Sequence, residues 1–219
     1  MAGSSLEERP TDGFFNLEVV HDAFVKSLSV DGDVDMDNYL VAYRELYKFF
    51  QLMGSVFGFV GSDVKSKIEI LEEFRKGKDQ AHYVTFRTMI TYERDADLLR
   101  KSDFTSGSRT LLRLHRGLDF IRLFLERVGE LKCDDKTTTV CQEAYNETLA
   151  KYHPWIIRKG AIVAMYSLPN RNGLLQKVCG SPAEIEKATQ TLPRMLEATK
   201  EAYLRTDSIY TEFNLHDLP

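Results

Sequence analysis

Apolar residues recur every three or four positions along most of the chain, the spacing that places them on one face of an α-helix. Stretches in which apolar and polar residues alternate, as they do in half-buried strands, are scarce. The pattern therefore predicts an all-α protein of about eight helices. The expected helices span residues 14–28, 35–61, 63–77, 80–100, 106–130, 137–152, 154–166 and 182–212, with a short helical piece near residues 171–179.

Helix-breaking residues separate these segments and indicate the domain organisation. The run Asp31-Gly32-Asp33 interrupts the first junction, Gly77 ends the third helix, and Ser106-Gly107 precedes the fifth. The junctions are short, and 219 residues suit one hydrophobic core. We therefore expect a single domain over residues 13–219, preceded by a flexible tail over residues 1–12.

In the predicted helix over residues 63–77, polar and apolar positions separate in an unusual way. Asp63 and Lys67 fall on the same side as Ile70 and Phe74, opposite a fully charged face. Two ionisable side chains are therefore predicted to point inward. The inward stripe changes from polar to apolar along the helix.

The predicted helix over residues 106–130 repeats this gradient. Arg109, Arg113 and Arg116 are in line with the apolar residues that follow them, Phe120 and Phe124. The solvent-facing stripe is expected to be narrow, at spacings of four, three and four residues. It consists of His115, Asp119, Arg122 and Glu126.

Inward-pointing cations need protein carboxylates or an anionic ligand, because an unpaired buried charge is costly. One interpretation is an internal network of ion pairs with Asp63 and either Asp95 or Asp97, in a helical scaffold that binds no ligand. The other is an anionic ligand, since Lys67, Arg109 and Arg113 outnumber Asp63 and this surplus suits a phosphate. The apolar surface beyond the cations matches the hydrocarbon chains of an amphipathic lipid.

Composition excludes several classes of protein. A formal net charge of −4 gives no general attraction to nucleic acid. The sequence contains no Gly-rich phosphate loop, no metal-ligand cluster and no nucleophile paired with a base, so we expect no cofactor, no metal and no catalysis. Three cysteines without a CxxC pair favour a reducing, cytoplasmic setting. Without a secretory signal or a bilayer-spanning run, any membrane contact is expected to be peripheral.

Three further features have both a functional and a structural interpretation. Trp155 has three basic residues within four positions, which suits an anionic membrane surface or a solvated helix face. The apolar residues 56–60 are interleaved with glycines, which suits a portal for lipid chains or close helix packing. His153 directly precedes Pro154 and is suited to capping a helix or to contacting a ligand.

Three runs of residues resemble the glycolipid transfer protein family. They cover residues 63–67, 108–116 and 152–155, with the sequences DVKSK, SRTLLRLHR and YHPW. The likeness extends from Phe15 to Pro219. It implies a two-layer sandwich of α-helices that encloses an apolar pocket for the lipid chains, with a headgroup site at the surface above that pocket.

The resemblance also implies roles for individual residues. Asp63 would accept hydrogen bonds from the amide and hydroxyl of a ceramide, His153 would donate to the acyl carbonyl, and the cations would hold a phosphate. The residues implied in headgroup binding are Asp63, Lys67, Arg109, Arg113 and His153. Those implied in membrane docking and chain entry are Val56, Phe59, Val60 and Trp155.

Two positions distinguish ligands within the family. Members that bind glycolipids carry a tryptophan where this chain has Arg113, and an asparagine where it has Lys67. Both differences favour phosphate over sugar. The resemblance thus implies a monomer that transfers ceramide-1-phosphate without catalysis and visits cytosolic membrane leaflets transiently. The alternatives are a glycolipid carrier and a sphingolipid sensor that signals through a partner protein.

Overall fold

The computed structural model describes residues 13–54 and 57–219, apart from the side chain of Phe59. Within these residues the chain forms nine α-helices, two short 3₁₀ turns and no strand, so the prediction of an all-α fold is confirmed. The predicted tail over residues 1–12 lies outside the described residues. The helices are α1 (Leu17–Ser27), α2 (Met36–Leu52), α3 (Gly58–Lys76), α4 (Phe86–Asp95), α5 (Gly107–Glu130), α6 (Thr137–Glu147), α7 (Trp155–Met165), α8 (Arg171–Cys179) and α9 (Pro182–Glu212), and the 3₁₀ turns are Gln80–Tyr83 and Ala150–Tyr152.

Several helix ends lie where the sequence predicts them, because capping chemistry is local. The hydroxyl of Ser106 accepts a hydrogen bond from the backbone N–H of Arg109 and starts α5. Gly77 ends α3, and Pro154 stands immediately before the first residue of α7.

The prediction of one helix over residues 35–61 is wrong. Helix α2 ends at Leu52, and α3 begins at Gly58. Gly54 lies between them with φ +104°, a backbone conformation that no α-helix contains and that glycine adopts without a steric penalty. The apolar pattern continues across this break, so periodicity alone could not reveal it.

The helix predicted over residues 80–100 is also wrong in its bounds. A 3₁₀ turn over Gln80–Tyr83 is followed by a separate start of α4, where Thr85 and Thr88 form a reciprocal capping box. Helix α4 ends before Asp97, which has φ +56°. The intrinsic preference of threonine for the cap position thus overrides the continuous apolar periodicity.

Helix α5 lies at the centre of the packing and contacts α3, α4, α6 and α9, while α2 packs against α1, α3 and α8. The core between these helices is rich in large aromatic side chains. Tyr39 is fully buried and makes edge contacts with Phe24 and Phe86. The hydroxyl of Tyr43 donates to the backbone carbonyl of Leu114, 2.6 Å away, and so joins α2 to α5.

The solvent-facing stripe predicted on α5 is wrong at His115. This side chain is only 2% exposed, because α9 covers that part of α5. Its ring stacks on Tyr203 with centroids 4.4 Å apart, and its Nε2 lies 3.1 Å from a carboxylate oxygen of Asp207. Burial lowers the pKa of His115, while Asp207 acts in the opposite direction.

A buried acidic side chain of α4 accepts hydrogen bonds from the N-terminus of α5. Glu93 is 0% exposed, and its two carboxyl oxygens accept hydrogen bonds from the backbone N–H groups of Gly107 and Ser108 at 2.6 and 3.1 Å. They also accept from the hydroxyl groups of Ser106 and Tyr83 at 2.6 and 3.2 Å. An acidic group at a helix N-terminus satisfies N–H groups that have no partner within the helix. Glu93 thereby fixes the first turn of the helix that carries Arg109 and Arg113.

None of the helices in the described part of the chain combines the length and the apolar character needed to cross a membrane.

Candidate functional site

A cavity of about 500 Å³ lies between α2 and α3 on one side and α5, α6 and α7 on the other. Most of its lining is apolar, and its exposed members are Asp63, Arg113, Tyr152 and Ile157. The polar residues therefore stand at the mouth of the cavity, with apolar residues beneath them. The buried apolar lining includes Phe50, Leu114, Phe120, Ile121, Ala161 and Met165.

Helix α3 supplies an ion pair to this mouth. Asp63 and Lys67 stand one turn apart, and the ammonium group of Lys67 donates to the carboxylate of Asp63. The side chain of Asp63 is 67% exposed and that of Lys67 only 13%. Lys67 therefore brings its charge into a sheltered part of the mouth, as the polar-to-apolar gradient of the sequence predicts.

Helix α5 supplies the arginines, and the structure places them differently from one another. Arg113 lines the cavity and is exposed. Arg109, one turn earlier, is not part of the lining, and its Nη2 donates to the backbone carbonyls of Lys101, at 3.1 Å, and of Phe104. Its guanidinium group thus holds the segment that connects α4 and α5.

Arg116 also lines the cavity, although the sequence did not single it out as a headgroup residue. Its Nη2 donates to the backbone carbonyl of His216 at 2.7 Å, and its guanidinium carbon lies 4.2 Å from the ring centroid of Tyr152. In the sequence, the only indication that Arg116 belongs to the site was its position in line with Arg109 and Arg113. The C-terminal segment that holds it is remote in sequence.

His153 lies where the 3₁₀ turn ends and the backbone becomes extended, with φ −105° and ψ 136°. This conformation is the one that a following proline favours. Nδ1 of His153 lies 2.9 Å from the hydroxyl of Tyr145, and both residues line the cavity. Burial lowers the pKa of His153, while nearby Asp63 acts in the opposite direction. When the Tyr145 hydroxyl donates to Nδ1, the Nε2–H group of the neutral ring is left to donate to a ligand.

The charges at the mouth do not balance. The charged residues of the lining are Lys67, Arg113 and Arg116 against Asp63 alone. Asp95, considered above as an internal partner, instead pairs with its neighbour Arg94. The surplus of positive charge above an apolar cavity suits an anionic group attached to hydrocarbon.

Helix α7 is apolar on two opposite sides. One side faces the cavity through Ile157, Ala161, Ala164 and Met165. At about 100° per residue, the four large side chains of the other side fall within an arc of about 100°. These residues are Trp155, Ile156, Val163 and Tyr166, which are between 63% and 70% exposed. We call them the α7 outer face.

The α7 outer face extends the prediction that was made for Trp155. Lys159 lies within it, with Nζ 5.8 Å from the centroid of the Trp155 ring. Exposed apolar patches are typical of surfaces that contact a membrane or a partner. Val60 lines the cavity and is half-buried. Val56 and the side chain of Phe59 lie outside the described residues.

Residues 34–180 match the sequence model of the glycolipid transfer protein family. Since this match covers more than half of the chain, the chain belongs to the glycolipid transfer protein family. The ceramide-1-phosphate transfer protein of Danio rerio is 40% identical over 209 residues, which are 94% of this chain and 98% of the relative.

Solved structures agree with this assignment. The mouse ceramide-1-phosphate transfer protein in its apo form has a TM-score of 0.87 and 36% identity, covering 94% of this chain and 100% of that chain. The human ceramide-1-phosphate transfer protein in complex with 12:0 ceramide-1-phosphate has a TM-score of 0.83 and 35% identity, with the same coverage. The resemblance found in the sequence and the predicted helical sandwich of this family are thereby confirmed.

Proposed function

We propose that this protein transfers ceramide-1-phosphate between membranes without altering it chemically. The observation that carries the proposal is the cavity of about 500 Å³ whose apolar interior opens at a mouth with three cations and one carboxylate. The bound ligand of the human relative, 12:0 ceramide-1-phosphate, has both required parts, an anionic headgroup and hydrocarbon chains.

The physical obstacle to lipid transfer is the exposure of hydrocarbon to water. Removing a chain from a bilayer costs about 0.8 kcal/mol for each CH₂ group that becomes hydrated. A cavity that replaces the bilayer around the chains lowers this cost while the lipid crosses the aqueous phase. Such a process needs no bond to be made or broken, which is why the proposed role is noncatalytic.

At the mouth, we assign the phosphate to Lys67 and Arg113, and the ceramide amide and hydroxyl to the carboxylate of Asp63. His153 is assigned to the acyl carbonyl through Nε2–H. Arg109 would join the phosphate site if the phosphate oxygens replaced the two backbone carbonyls to which its guanidinium now donates.

Selectivity for phosphate over sugar is tested by transfer between vesicles. Donor vesicles carry fluorescent ceramide-1-phosphate or fluorescent glucosylceramide with identical chains, and the protein is present at far lower concentration than the lipid. We expect ceramide-1-phosphate to move at least about 10-fold faster, because charge-assisted hydrogen bonds to Lys67 and Arg113 are lost with a neutral sugar. Equal rates for the two lipids would contradict the proposed ligand. Movement of no more lipid than the protein can hold would favour a sensor over a shuttle.

The α7 outer face is proposed to dock on the cytosolic leaflet of membranes. Its apolar side chains would enter the interface, while Lys151, Arg158 and Lys159 would approach anionic headgroups. Because Ile157 and Ala161 on the same helix line the cavity, docking through this face would place the cavity next to the bilayer. Val56, Phe59 and Val60 are proposed to gate chain entry beside it.

Docking is tested with the substitution Val163→Asp, which places a charge in the middle of the α7 outer face. We expect its binding to anionic vesicles to fall at least about 10-fold in a sedimentation assay, since a buried valine contributes about 1.5–3 kcal/mol. Trp155→Ala is expected to act in the same direction. The matched control is Val25→Asp, at an exposed valine of α1 that lies outside the cavity. An equal loss in the control would show that the α7 outer face has no special role.

A further inference from the structure

A second, smaller cavity of about 40 Å³ lies further along α5. The part of α5 from Arg113 to Ile121 lines the large cavity, whereas Leu125, Val128 and Gly129 line the small one. The two cavities therefore follow one another along the same helix, with the small cavity on the side away from the charged mouth.

Phe124 stands between the two cavities. It is 1% exposed, and its ring lies parallel to that of Phe120, which lines the large cavity, with centroids 6.0 Å apart. The centroid of Phe124 is also 6.3 Å from that of Phe49, which lines the small cavity. The rings of Phe120, Phe124 and Phe49 thus form an aromatic wall from one cavity to the other.

The small cavity has the character of a place for hydrocarbon. Its lining is almost entirely apolar, and Arg171, one of its few polar residues, donates through Nε to the backbone carbonyl of Val128 at 3.1 Å. A cavity with an almost entirely apolar lining does not hold water well and accepts apolar groups. Phe15, from the segment before α1, packs on Phe49 with centroids 5.2 Å apart and also lines the cavity.

We propose that Phe124 limits the length of the lipid chain that this protein carries. The ring would stop a chain that descends from the mouth, and the small cavity would be the space that the terminal carbons of longer chains enter once the ring is removed. This inference rests on the proposed function, because it concerns the chains of the same lipid. It assigns the selectivity for chain length to Phe124, a residue that contributes no polar contact to the site.

The test compares ceramide-1-phosphate species with acyl chains of increasing length, from 12 to 24 carbons, in vesicle transfer by wild-type protein and Phe124→Ala. We expect the acyl length transferred fastest to increase in the variant. The transfer rate for the 24-carbon species relative to the 12-carbon species should rise at least about 10-fold, because each additional CH₂ that is buried contributes about fourfold. Phe24→Ala is the matched control, since Phe24 is fully buried but lines neither cavity. Its ratio should remain that of the wild type.

A large cavity in the core also lowers stability, so all rates are normalised to the folded fraction measured by circular dichroism. Phe124→Leu, which removes less volume, is expected to shift the ratio in the same direction by a smaller factor and covers the case in which Phe124→Ala does not fold. An unchanged ratio in the folded Phe124 variants, or an equal change in Phe24→Ala, would overturn the assignment of Phe124. If wild-type protein transfers ceramide-1-phosphate of no chain length, the proposed function itself fails, which is a different result.

Discussion

Arg113→Leu is expected to lower the transfer of ceramide-1-phosphate roughly 10- to 100-fold, the loss that corresponds to about one charge-assisted hydrogen bond. Neither neighbouring arginine can replace it without giving up contacts that it makes in this structure. Arg109 donates to two backbone carbonyls, and Arg116 is held by the carbonyl of His216 and the ring of Tyr152. The fold should be preserved, because Arg113 is exposed and its removal leaves no buried partner unsatisfied.

Two further substitutions make this result specific. Arg44→Leu removes an exposed arginine of α2 that pairs with Glu72 and does not line the cavity, so transfer should stay at the wild-type rate. Arg113→Lys keeps the charge but loses the planar fork that grips two phosphate oxygens, and an intermediate rate is expected. Wild-type transfer by Arg113→Leu, or an equal loss in Arg44→Leu, would argue against a phosphate site at the mouth.

Glu93→Ala is expected to lower the free energy of unfolding by about 3–5 kcal/mol, the largest effect on stability that we expect. The substitution leaves four donors without their acceptor, namely two backbone N–H groups at the start of α5 and the hydroxyls of Ser106 and Tyr83. Each unsatisfied buried donor costs about 1–3 kcal/mol before the surroundings relax. Chemical denaturation with urea measures the change as a shift of the midpoint.

The control for Glu93 is Glu130→Ala, at the exposed last residue of α5, where a change within about 0.5 kcal/mol is expected. Glu93→Gln retains one acceptor oxygen and should fall between the two variants. If Glu93→Ala and Glu130→Ala shift the midpoint equally, the buried carboxyl group does not anchor α5. A loss of transfer in Glu93→Ala should follow the loss of folded protein.

The sequence predicted helices reliably where a local signal marks their ends. Ser106 and Gly77 gave correct boundaries, because a capping hydroxyl or a terminal glycine acts on its own helix. The break near Gly54 was missed, since glycine also occurs inside helices and nothing in the sequence reports the sign of φ. His115 was placed in solvent because periodicity orients a helix relative to one apolar side, and it carries no information about a second helix packed on the other side.

Of the residues at the candidate site, some were likewise predicted from the sequence and others were not. Asp63, Lys67 and Arg113 were found from their position on inward stripes, and the structure brings all three, with His153, to the lining of one cavity. Arg116 was in line with the other arginines but depends for its position on His216, a hundred residues later in the chain. Of the four residues of the α7 outer face, only Trp155 was predicted from the sequence to dock on membranes. When two opposite sides of a helix are apolar, the sequence does not show which side packs against the protein. The neighbouring helices decide it.

What the sequence determined by itself is therefore the all-α class, the caps of several helices and the gradient from cations to apolar residues on two of them, all of which depend on residues close together in the chain. The tertiary structure decided which cations meet, that Arg109 donates to backbone carbonyls of the segment between α4 and α5, and that Phe124 stands between two cavities. Those properties arise from contacts between helices distant in sequence. Such contacts depend on the packing of whole surfaces, which the periodicity of a single helix does not specify.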